Sequence, residues 1–206
     1  LAGKLPEAMK RRRDALEIAK KAAPPKPILL FLCLNNIGLN RYLAGEFDDA
    51  ETYFKEALDV AGKAFGPRHF HVAATEVNLG WLALAREKPD EADRLFDAAL
   101  GIFRKLGDDH PRVAEVLSYR ARVRARMGLK EKAKTDLNEA LMLQEHALAK
   151  KLRSAFSERD RLAIVQELRV HPGSNRWPGV LDTFLDAAPG LGIIEEEQYR
   201  RLLICK

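Results

Sequence analysis

Gly45-Glu46-Phe47-Asp48-Asp49-Ala50, continued by Tyr53, Phe54, Ala57 and Leu58, is the stretch that decides the fold. It returns 42 residues later as Glu87, Ala92, Leu95, Phe96, Ala99 and Leu100, and 41 further on as Gly128, Ala133, Asp136, Leu137, Ala140 and Leu141. The segment before it repeats in step: Gly38, Gly80 and Ala121 are equivalent, as are Asn36, Asn78 and Tyr119. The loops match too, with Gly66, His69 and Val72 aligning with Gly107, His110 and Val113. Run backward, the offset sets Gly3, Ala8, Ala15, Leu16 and Ile18 against Gly45, Ala50, Ala57, Leu58 and Val60. Self-similarity at a fixed period marks stacked supersecondary units, each burying its apolar face against its neighbours.

Each unit reads as two antiparallel helices. Gly38, Ala50, Ala57 and their equivalents sit where the paired helices approach most closely, and Phe54 and Phe96 fill the seam between neighbours. Gly45 and Gly128 suit a helix C-terminus, where a left-handed residue is wanted. Pro89 suits a first helical turn. The pattern predicts helices near 4–22, 28–44, 47–64, 70–86, 89–105, 111–127 and 130–154. The expected organisation is all-α, with residues 1–154 as the repeat array and 155–206 as extra C-terminal helices, a cap or a linker. The array opens on the second helix of a repeat whose first helix is missing, then runs through three repeats. The chain is therefore expected to be cut from a longer protein.

The small-x-x-apolar-x-x-small arrangement resembles the tetratricopeptide (TPR) signature. Its 41–42-residue period exceeds the usual ~34 of that family. Together with Leu34-Asn35-Asn36 and the Gly-x-x-His loops, that period resembles the kinesin light-chain type of TPR, over residues 1–150. The resemblance implies a right-handed superhelical solenoid and a protein-interaction scaffold. A narrower resemblance lies further on. Leu152-Arg153-Ser154-Ala155-Phe156-Ser157-Glu158-Arg159-Asp160-Arg161-Leu162-Ala163 is similar to a segment that follows the repeats in bacterial CHAT proteins, which join a caspase-like protease to TPRs. Tyr199-Arg200-Arg201-Leu202-Leu203-Ile204-Cys205-Lys206 looks like the end of that linker. This resemblance implies a regulatory TPR region, with a protease domain downstream as an intramolecular partner. A stand-alone peptide-binding or self-assembling adaptor is the alternative.

Composition narrows the classes. Lys and Arg exceed Asp and Glu by 35 to 30, a net +5. The excess is uneven: +5 over residues 1–27, −5 over 28–117, +6 over 118–153 and −1 over 154–206. A basic stretch on each side of an acidic middle suggests partner selection by charge. Nucleic-acid binding through the basic ends is a third and less favoured class. No apolar run approaches the ~20 residues that span a bilayer, so no membrane partner is expected. Cys33 and Cys205 give no disulfide framework, which fits a reducing cytoplasm.

No catalytic chemistry is legible. Cys33 lies on an apolar helix face, Cys205 adjoins the last residue, and neither has a histidine at a recognisable spacing. His69-x-His71 lacks a third metal ligand, and its first histidine is a loop equivalent of His110. No phosphate loop and no paired carboxylates occur, so no cofactor or metal is expected. What remains is the groove lined by first helices. Helical spacing points Leu32, Asn35, Asn36, Leu39 and Tyr42 inward, then Ala74, Val77, Asn78, Trp81 and Leu84, then Ser118, Tyr119, Arg122 and Arg126. The resemblance implies that an asparagine at the place of Asn36 and Asn78 hydrogen-bonds a ligand backbone; the pattern departs at Tyr119. The alternative is that these amides tie neighbouring helices together. Arg122 and Arg126 share a face, which favours a protein or peptide ligand with acidic groups.

Overall fold

The computed structural model describes residues 4–22, 24, 26–108 and 110–154. The expected Ser157 capping box, the Trp177 loop, Cys205 and the linker-like stretch all lie outside them. Among the described residues the regular elements are seven α-helices: α1 Lys4–Lys21, α2 Pro27–Leu43, α3 Phe47–Phe65, α4 Phe70–Ala85, α5 Pro89–Leu106, α6 Pro111–Arg126 and α7 Lys130–Ser154. Each end that is flanked by described residues falls within about one residue of the sequence expectation, inside the spread between ways of defining helix ends.

The caps explain why the ends are so well placed. In α2, the N–H of Gly45 donates to Tyr42 and that of Glu46 to Arg41. In α4, Glu87 donates to Leu84 and Lys88 to Ala83; in α6, Gly128 donates to Ala125 and Leu129 to Arg124. All three first helices thus end in one Schellman motif, whose turning residue must be left-handed. Gly45 and Gly128 meet that demand with φ 78° and 77°. Glu87 meets it at φ 59°, a conformation that a side chain makes costly. The starts are equally regular. His69 Nδ1 accepts the N–H of His71, and His110 Nδ1 accepts that of Arg112, each at 3.2 Å. The loop histidines are N-caps, satisfying a donor that the first turn would otherwise leave open.

The small residues sit where the repeat pattern puts them. A Cβ on Gly38 would lie 2.7 Å from the Phe54 ring, and one on Gly80 would lie 2.6 Å from the Phe96 ring. Ala50, Ala57, Ala92, Ala99, Ala133 and Ala140 are all fully enclosed.

Two compact units, residues 1–103 and 104–206, divide the chain. In the first, α1 packs on α2, α2 pairs with α3, α3 packs on α4, and α2 touches α4. Its core includes Ala50, Phe54 and Leu82, with Tyr42, Phe47 and Leu79 against them. A string of rings tightens the α3–α4 corner: Phe31 lies 4.2 Å from His71, Phe65 lies 4.8 Å from His69, and Phe70 lies 5.6 Å from Phe103. In the second, α6 pairs with α7. There Arg120 Nε and Nη2 grip Asp136 at 3.0 and 2.7 Å, and Arg124 reaches the same carboxylate at 2.9 Å.

Candidate interaction surface

In the first unit, α2 presents one long apolar face. Ile28, Leu32, Leu39 and Leu43 are 53, 43, 38 and 73% exposed. Their spacing of 4, 7 and 4 residues keeps them on one side of a helix, over about 22 Å of its length. Asn36, also exposed, sits midway along it. Ile28 and Leu43 were not among the residues expected from sequence, although each lies one turn beyond Leu32 or Leu39.

The other sequence-predicted residues of this unit are less open. Asn35 and Asn78 are half-buried, and Asn78 Nδ2 donates to Asn35 Oδ1 at 2.8 Å. That bond ties α4 to α2. Trp81 is half-buried and meets the Phe96 ring edge-on, with centroids 5.9 Å apart. One residue must be withdrawn from the lining: Val77 is 8% exposed. Tyr42 is half-buried and packs against the Ala50–Phe54–Leu82 core, its ring 6.0 Å from that of Phe47.

In the second unit, α6 offers a charged face. Arg126 is exposed and Arg122 half-buried one turn away. Tyr119 is half-buried and donates its hydroxyl to Glu115 Oε1 at 2.6 Å. Burial first, and the Glu115 carboxylate second, push the phenol pKa up and keep it neutral. Ser118 is a further correction: it is fully enclosed, and its hydroxyl bonds back to the Ala114 carbonyl at 2.9 Å. A serine inside a helix can satisfy itself this way, so its polarity does not mark a surface.

The Arg120–Asp136 pair was not expected from sequence. A signal was present. Arg120 stands where the other repeats have Ile37 and Leu79, and Asp136 where they have Tyr53 and Leu95. Two positions that carry uncharged, mostly apolar side chains in the other repeats carry opposite charges here.

Among the described residues no group of three or more His, Cys, Asp or Glu could hold a metal ion, and no helix is long and apolar enough to cross a membrane. Cys33 is buried, and burial raises its thiol pKa, which disfavours the reactive thiolate.

Comparison with known proteins concerns this same architecture. BtubC (BKLC) from P. vanneervenii superposes with a TM-score of 0.69 at 19% identity, over 98% of this chain and 74% of that one. Aspartyl phosphate phosphatase F from Bacillus subtilis gives 0.64 at 18%, over 96% of this chain and 52% of that one. Nearly identical TPR-like repeats of a Podosopora anserina protein named for the kinesin light chain give 0.51 at 16%, over 84% and 90%. At such identities the likeness is one of fold. No curated protein matches the sequence. The tetratricopeptide repeat family matches residues 30–105 and 83–146, which together cover more than half of the 206 residues. The all-α helical repeats, their common caps and the small–large contacts at Gly38–Phe54 and Gly80–Phe96 agree with that match, and the chain belongs to the tetratricopeptide repeat family.

Proposed function

We propose that this chain is a protein-interaction scaffold whose first helices receive segments of a partner protein. The observation that carries the reading is the exposed stripe Ile28–Leu32–Leu39–Leu43 on α2. A soluble surface gains nothing from four large apolar side chains in one line, whereas a partner helix or strand would remove them from water. In the second unit Arg122 and Arg126 favour acidic groups on whatever docks there. Catalysis is no part of this reading.

The test is quantitative capture of partners on the immobilised chain, comparing the parent with Leu39→Asp and Leu43→Asp. Both positions are exposed, so the fold should survive, which circular dichroism checks. Loss of the captured proteins is the expected result. Unchanged capture by both would remove α2 as the binding face. Arg122→Glu should weaken capture most at low ionic strength, where charge attraction reaches farthest.

Attachment to a CHAT-type protease is the finer reading, and it rests on the resemblance of residues 152–163 and 199–206 alone. The coding sequence beyond Lys206 tests it: a caspase-like domain with Cys and His would support it, and a stop codon would overturn it.

A further inference from the structure

Leu34, Glu76 and Leu117 stand at one position of the repeat, four residues before Gly38, Gly80 and Ala121. Leu34 and Leu117 are 1 and 0% exposed. The middle repeat therefore places a carboxyl where its neighbours place a core leucine. Oε2 of Glu76 is shielded from water and has no hydrogen-bond partner. The residue as a whole keeps part of its surface open. Burial pushes its pKa up to about 7, and no charged neighbour contributes to that rise.

A carboxylate drawn from water without a partner is costly, and the cost disappears if it keeps its proton or meets a cation. Leucine would avoid the cost altogether, and the repeat uses leucine on both sides. Glutamate at this one place therefore costs stability unless it stays protonated or a cation pairs with it.

We infer that Glu76 is the anchor for a cationic side chain of the partner, an arginine or lysine. This rests on the scaffold reading above and gives it chemistry: the partner brings a cation to α4 as well as apolar groups to α2. Arginine suits the position better than lysine, because its planar fork can meet a carboxylate with two donors and is more weakly hydrated. A neutral ligand of the same shape would leave the penalty in place, so the site would discriminate by charge.

The experiment uses the full chain, labelled with carbon-13 at glutamate carboxyls. It is titrated with an alanine-based peptide carrying one central arginine, and with a twin carrying citrulline, equal in size but uncharged. The arginine peptide is expected to lower the Glu76 titration midpoint by at least about one unit. It should also shift the backbone amides around Glu76 and bind roughly tenfold more weakly to Glu76→Gln. The citrulline peptide should do none of these. If Glu76→Gln fails to fold, Glu76→Leu replaces it, installing the residue of the flanking repeats. Equal responses to the two peptides, binding unaffected by the substitution, or no response up to the solubility of the peptide would each overturn the anchor. The scaffold reading fails separately. Partner capture lost in Leu39→Asp but kept in Glu76→Gln would remove the anchor and leave the scaffold standing.

Discussion

Asn78 donates to Asn35, although its counterpart in the repeat is Asn36. The bond runs one residue out of register, joining the first helices of successive repeats. It commits the Asn78 amide nitrogen to the protein's own frame, and leaves Asn36 as the exposed amide of the α2 stripe. Asn35→Ala and Asn78→Ala should therefore be non-additive, with a coupling of about 1 kcal/mol in urea titrations. Additive losses would mean that the amide pair contributes nothing.

Gly80→Ala should destabilise by about 1–3 kcal/mol, because its new methyl would overlap the enclosed Phe96 ring. The third repeat shows the remedy. There Ala121 takes the place of Gly80 and Leu137 the place of Phe96. Adding Phe96→Leu to Gly80→Ala should recover most of the loss in thermal melts; a double variant no better than the single would count against this contact.

Glu87→Gly should stabilise by about 1 kcal/mol. Glu87 holds the left-handed position that Gly45 and Gly128 hold elsewhere, and glycine removes the Cβ penalty there. A fall in the urea midpoint would show that the Glu87 side chain makes up for its backbone.

Asp136→Leu should cost about 3–5 kcal/mol, since it takes the carboxylate away from Arg120 and Arg124 in a buried place. Arg120→Leu combined with Asp136→Leu should restore stability to near the parent value. The second repeat already carries Leu79 and Leu95 at these positions. Failure of the pair to recover would show that Arg120 has a role that leucine cannot fill.

Glu76 gives the fold a dependence on pH. Its folded pKa of about 7 lies above the ordinary 4.5. Its share of stability is therefore fully present below the lower value and lost as pH rises through the upper one. Glu76→Gln should match the parent near pH 4 and exceed it by roughly 1–2 kcal/mol at pH 8, allowing for partial solvent screening. Parallel stability curves for the two proteins would show that Glu76 titrates normally.

The sequence by itself determined the repeat, the seven helices and the residues at their closest contacts. These follow from local rules. Only glycine fits against the phenylalanine rings at Gly38 and Gly80, and only a residue that tolerates positive φ can turn the chain after α2, α4 and α6. Such demands recur with the period, so they can be read from one chain. Tertiary structure alone decided which polar groups face the solvent. Helical spacing gave Asn36 and Ser118 the same inward sense, yet one is exposed and the other enclosed. The α2 stripe was half legible, through Leu32 and Leu39. That Asn78 ties neighbouring helices was legible as one of two alternatives, but not that Asn35 is its partner; the Arg120–Asp136 pair left a trace in the repeat, and the enclosure of Glu76 Oε2 left none. A helical pattern fixes the direction of a side chain to within part of a turn, whereas burial depends on what the opposing helix brings to that place. That second quantity belongs to no single stretch of sequence.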